Sequence, residues 1–158
     1  SNYAGTLLPG IREYTVTPGE KTTTISGKGK AGLKQEENYY FFYLPVCYKG
    51  ITGKSYAYYN TSRSKNLYLP ASVDENYSYD IQLPENLTLC TPIQEKKIDN
   101  PIGSFKITLT SEGSSLHIEL ALQIKKQLIT PAEYPAFRSL ITEWTDRTRK
   151  PILFKTVQ

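Results

Sequence analysis

Hydrophobic and polar residues alternate over much of this 158-residue chain, with the two-residue period of a β-strand. The clearest stretch is Leu116, Ile118, Leu120, Leu122 and Ile124, with His117, Glu119, Ala121 and Gln123 between them. Such a strand has one face in the core and one in water, the habit of antiparallel sheets. Just before it, Ser104–Thr110 places Phe105, Ile107 and Leu109 on one side, and Ser111-Glu112-Gly113-Ser114 reads as the hairpin loop. Tyr77–Leu83 repeats the pattern, with Tyr77, Tyr79, Ile81 and Leu83 against Ser78, Asp80 and Gln82.

Shorter strands are predicted at Arg12–Val16 and Thr22–Ile25, around the turn Thr17-Pro18-Gly19-Glu20. Ser26-Gly27-Lys28-Gly29-Lys30 reads as a flexible connection. Further strands are expected at Ser55–Asn60, Asn66–Leu69, Leu87–Cys90 and Ile152–Val157. Asn38–Leu44 is apolar at both alternations, which predicts a central strand.

The period lengthens once. Tyr134, Phe137, Leu140, Ile141 and Trp144 fall on one stripe at helical spacing, and a helix is predicted from Pro131 to Arg147. Thr130 suits the cap, Pro131 the first turn, and Glu133 can reach back to complete a capping box. Pro135 removes one backbone donor, so the first turn is expected to stand apart. Phe137 and Trp144 are read as anchors of the stripe. The fold class is therefore mainly β: a single antiparallel β-sandwich-like domain over 1–158 with one amphipathic C-terminal helix. Residues 1–30 are edge strands or a linker. The helix is expected on the sheet face carrying Leu116, Ile118, Leu120 and Leu122.

Composition strengthens the β reading. There are 13 Tyr against one Trp and no Met, and Tyr favours half-buried pleated surfaces. No apolar run reaches the roughly 18 residues of a membrane helix, so no transmembrane segment is expected. The chain opens Ser1-Asn2 without an initiator Met or signal peptide, and reads as a fragment of a longer protein or a mature form. From Ala121 onward seven positive residues meet three negative ones, which is the whole of the net +4. A solvated helix face is the ordinary reading of that cluster; an acidic partner is the other. Nucleic acid is not expected, because the basic residues and the tyrosines lie in different halves of the chain.

Candidate chemistry is sparse. Cys47 and Cys90 are the only cysteines; a bridge and two free thiols are both open, with free and buried preferred. A Cys–His nucleophile would need His117, which sits on the polar side of a regular strand with no strained turn to hold it. The scattered carboxylates and single His offer no close-spaced ligand set, so no metal or other cofactor is expected. No catalytic residue is assigned. The tyrosines stand out more: Tyr39, Tyr43, Tyr56, Tyr58 and Tyr59 could stack on a sugar if exposed on one β face. Core and rim of a sandwich is the competing reading.

Four runs carry a family resemblance: Tyr77-Ser78-Tyr79-Asp80-Ile81-Gln82-Leu83-Pro84, Asn100-Pro101-Ile102-Gly103-Ser104-Phe105, Leu116–Lys126, and Ile129-Thr130-Pro131-Ala132-Glu133-Tyr134-Pro135-Ala136-Phe137-Arg138. In this order they resemble the β-rich domain that ends transglutaminase-like (papain-like) envelope proteins of the Bacteroidetes type. The resemblance covers residues 66–155 best. It implies a module that follows a Cys-His-Asp core without containing it, export to the periplasm or cell envelope, and the preceding catalytic domain or another envelope protein as partner. The expected function is thus a non-catalytic accessory domain. The alternative is a stand-alone carbohydrate- or ligand-binding module working through the tyrosines.

Overall fold

The computed structural model describes residues 11–20, 23–30, 32–44, 51, 61–146 and 151–157. Its centre is an antiparallel sheet of four strands: β6 (Val73–Gln82), β8 (Gln94–Asn100), β9 (Gly103–Glu112) and β10 (Ser115–Ile124), ordered β6-β10-β9-β8. The alternation of β10 places Leu116 to Ile124 on one face. The register sets Phe105, Ile107 and Leu109 of β9 beside Leu122, Leu120 and Ile118. Nearly every one of these side chains is buried; Leu120 is half-buried.

Two different layers cover that face. The helix α1 (Tyr134–Trp144) presents Tyr134, Phe137, Leu140 and Ile141 to Phe105, Ile107, Leu122 and Ile124. A second four-stranded sheet covers the rest. It consists of β3 (Lys34–Glu36), β4 (Tyr39–Tyr43), β7 (Leu87–Leu89) and β12 (Pro151–Thr156), ordered β3-β4-β12-β7. Its Phe42, Ile152 and Phe154 meet Leu109, Leu116 and Ile118, and Phe42 stacks on Phe154 with ring centroids 5.8 Å apart. Leu120 touches both clusters. The helix lies on the expected face, the one carrying Leu116, Ile118, Leu120 and Leu122, but covers only its Leu122–Ile124 end. Length explains this. Eleven helical residues span roughly 16 Å, whereas the ten residues of β10 run roughly 33 Å.

Two small pairs complete the described strands. β5 (Leu67–Tyr68) pairs with β11 (Leu128–Ile129), and β1 (Ile11–Pro18) pairs with β2 (Thr23–Gly29) in a separate two-stranded sheet. β2 continues through Ser26–Gly29, which the glycines had suggested was a loose connection; the ladder against Ile11–Thr15 holds it extended. Strands β3 and β8 carry almost no apolar signal and were not expected. The predicted strand Ser55–Asn60 lies outside the described residues.

The helix begins later than predicted. Residues 131–133 form a turn, and the α-helix starts at Tyr134 because Pro135 cannot donate to the carbonyl of Pro131. The capping box is present one turn ahead of the helix. The Thr130 N–H donates to Glu133 Oε2 (3.0 Å), and the Glu133 N–H donates to Thr130 Oγ1 (3.4 Å). Glu133 is also paired with Lys126. The far end stops at Trp144, and Arg147 lies outside the described residues. Trp144 is half-buried, against Phe105 and Tyr77 at centroid distances of 6.5 and 5.8 Å.

One tight hairpin ties the helix to the sheet. Asn100 Oδ1 accepts from the N–H groups of Ile102 (2.9 Å) and Gly103 (3.3 Å), fixing the β8–β9 turn. Its Nδ2 donates to the Ala136 carbonyl at 3.0 Å, so the same side chain docks the helix. A Cβ on Gly103 would sit 1.8 Å from the Gln123 carbonyl oxygen. Across the fold, Lys96 on β8 pairs with Glu143 on the helix at 2.5 Å.

Two outcomes check this packing by chemical denaturation. Phe137→Ala, at 0% exposure, should cost about 3–5 kcal/mol, and half-buried Trp144→Ala less, about 2–3 kcal/mol; equal losses would contradict the placement. Gly103→Ala should cost more than about 3 kcal/mol or abolish folding, since only backbone movement relieves the clash; a variant with native stability would contradict the approach of Gly103 to Gln123.

Candidate functional site

The two sheets differ on the side turned away from the core. The outward rows of the first sheet are polar: Asp80 and Ser78 on β6, His117 and Glu119 on β10, Lys106 and Thr108 on β9, Lys97 and Glu95 on β8. They form ion pairs. Lys106 donates to Glu119 Oε2 at 2.9 Å, and His117 Nδ1 lies 2.7 Å from Asp80 Oδ1. His117 Nε2 lies 3.3 Å from Glu119 Oε1. Both ring nitrogens thus face carboxylates. The Asp80 and then the Glu119 hydrogen bonds raise the His117 pKa above its ordinary value. Lys106, then His117, hold the Glu119 carboxyl below the usual range.

This geometry bears on the Cys–His idea. Cys90 is a free, half-buried thiol just beyond β7, in the second sheet, where its Sγ lies 4.0 Å from the Thr88 carbonyl. His117 directs its nitrogens to Asp80 and Glu119. Cys47 lies outside the described residues. Among the described residues no three His, Cys, Asp or Glu side chains gather as a metal site. The C-terminal basic cluster is divided: Lys126 is engaged by Glu133, and Arg147, Arg149 and Lys150 lie outside the described residues.

The second sheet faces outward with aromatic rings. In β4, Phe42 points into the core, so alternation sends Tyr39, Phe41 and Tyr43 outward. Leu153 of β12 sits opposite Phe41, and Pro151 opposite Tyr43. On the other flank β3 brings Lys34 opposite Phe41. Tyr39 is 45% exposed and Tyr43 is 54% exposed, while Phe41 and Leu153 are half-buried. The Phe41 and Tyr43 rings meet edge to face, 5.9 Å apart at 89°. The Lys34 ammonium lies 5.6 Å from the centre of the Tyr43 ring. Lys155 stands opposite Tyr39.

Two of the tyrosines proposed from sequence, Tyr39 and Tyr43, therefore share one outward row; Tyr56, Tyr58 and Tyr59 lie outside the described residues. The central strand predicted at Asn38–Leu44 is present as β4, between β3 and β12. On its outward side Tyr39 and Tyr43 are exposed, and no described strand or helix packs over them. Phe41, Leu153 and Lys34 were not singled out. Five aromatic residues in succession hide any alternation, and only the tyrosine hydroxyls at 39 and 43 hinted at an outward row.

Comparisons with known proteins give a family. The DUF3858 model, described as a domain of unknown function with a solved structure, matches residues 38–154. A crystal structure from Parabacteroides distasonis ATCC 8503, described as a "putative protease", superposes with a TM-score of 0.67 at 31% identity. The match covers 77% of this chain and 24% of that one, so the chain spans about a quarter of its length. No curated protein matches.

The imidazole geometry has a measurable consequence. By NMR, His117 should titrate above about 6.5, and Asp80→Asn should lower its midpoint. A group with a raised folded-state pKa contributes stability that is complete below its unfolded-state value. That contribution is lost as pH rises through the folded value. Stability should thus fall slightly as pH passes upward through the His117 midpoint, and less so in Asp80→Asn. An identical titration in both proteins would refute the pairing.

Proposed function

The chain belongs to the DUF3858 family, and from that premise we propose that it is a non-catalytic interaction module of a longer, protease-like polypeptide of the bacterial cell envelope. The observation that carries this reading is the crystal structure from Parabacteroides distasonis: this chain accounts for 24% of a chain described as a putative protease. Three quarters of that relative lies elsewhere, with ample room for a catalytic core. The order of motifs that resembles the end of transglutaminase-like envelope proteins points the same way. On this reading the nucleophile and its base belong to the adjoining core, and this module positions that core or a further envelope partner.

The chemistry of the side chains here is in keeping with that division. His117 has two carboxylates for neighbours, which favour the imidazolium, whereas a general base must be free to accept a proton. The free thiol of Cys90 belongs to the other sheet. The ligand-stacking alternative draws on the exposed rings of Tyr39 and Tyr43. A sugar platform favours rings presented flat side by side, and Phe41, between them, stands perpendicular to Tyr43.

The test is a comparison of turnover. The 158-residue chain should leave peptide and glutamine-donor substrates untouched, while the complete gene product turns over one of them. Turnover by this chain alone, abolished in Cys90→Ala or His117→Ala, would sink the proposal.

A further inference from the structure

We infer that the outward face of the second sheet, centred on Phe41 and Leu153, is the seat of the neighbouring domain in the longer polypeptide. This rests on the reading above and names the surface it uses. The first support is the contrast between the two sheets. One has an outward face of paired charges, the ordinary way to leave a sheet in water. The other turns exposed Tyr39 and Tyr43 and half-buried Phe41, Pro151 and Leu153 outward in adjacent rows. A contiguous aromatic and aliphatic patch with a polar rim is the usual mark of a surface that something covers.

The identity of the occupant follows from where the chain enters and leaves the family domain. The family match runs from residue 38 to residue 154. Its first strand is β4 and its last is β12, and these are the two strands that carry the patch. They are hydrogen-bonded neighbours running antiparallel, with Tyr39 opposite Lys155. Both junctions of the domain therefore lie side by side at one end of the patch. A folded unit joined at either junction is held next to this face, which raises its effective concentration there.

A third observation concerns β3. Residues 34–36 precede the family match, yet they pair with Tyr39–Phe41 and extend the sheet at its edge. Polypeptide from upstream thus already adds itself to this sheet and brings Lys34 onto the patch. The partner surface that fits is apolar at its centre, to receive Phe41 and Leu153. It bears carboxylates towards Lys34 and Lys155.

The experiment uses the complete gene product and this chain in parallel. Two variants probe the patch: Tyr39→Ala with Tyr43→Ala, and Phe41→Glu. The double tyrosine variant should leave the melting temperature of the 158-residue chain within a few degrees, as surface substitutions do, and Phe41→Glu, at a half-buried position, should lower it further without unfolding the chain. In the complete product each should enlarge the radius of gyration in small-angle scattering. Each should also speed proteolysis of the link to the neighbouring domain, outside the β3–β4 pair, by about tenfold or more, the scale of one lost contact cluster. Unchanged scattering and proteolysis in a complete product that retains activity would overturn the docking face while leaving the module reading intact. Two other results would also overturn it: a gene product no longer than this chain, or self-association of this chain that the same variants abolish. Turnover by this chain alone is the separate result that removes the underlying reading.

Discussion

The structure depends on one row of side chains, Leu116 to Ile124 on β10, and on the need to keep all of it dry. No single element reaches far enough. The helix covers Leu122 and Ile124, the second sheet covers Leu116 and Ile118, and Leu120 lies at the seam. Both covering layers are recruited by the same strand, so the chain must return to it from the loops on either side of the central hairpin. That requirement explains why β12, the last strand, lies between β4 and β7 and not beside β10.

Polar groups then lock the layers in register. Asn100 ties the β8–β9 turn to the helix carbonyl of Ala136, and Thr91 does similar work in the second sheet. The Thr91 hydroxyl oxygen accepts from the Leu153 N–H at 2.8 Å, while the Cys90 and Thr91 N–H groups both approach the Leu153 carbonyl. Each of these bonds satisfies a backbone group that would otherwise be costly to bury.

The legible part of this fold was the part that periodicity dictates. Leu116–Ile124 and Phe105–Leu109 gave the central hairpin, and Thr130 with Glu133 gave the turn that launches the helix. What stayed hidden follows other rules. β8 shows one apolar residue, Ile98, and holds its place through its ladder with β9, which has no side-chain period, with the Lys96 ion pair and the Asn100 amide added at its flank and end. Gly27 and Gly29 suggested looseness, but a ladder with β1 overrides a weak local preference. The helix position is a matter of relative lengths, which no single segment reveals. The patch is half visible in the sequence: Tyr39 and Tyr43 stand out, whereas nothing marks Phe41, because a fully aromatic strand cannot say which of its sides is wet.

The charged edge of the first sheet has a consequence of its own. β8 ends that sheet with Glu95, Lys96, Lys97 and Asp99, interrupted only by Ile98, and its flank is crossed by a salt link to the helix. A stranger's strand seeking to add itself there would have to desolvate ions at nearly every step. Copies crowded together at high density would therefore stay dispersed along this rim, and growth into ribbons would find no foothold on it.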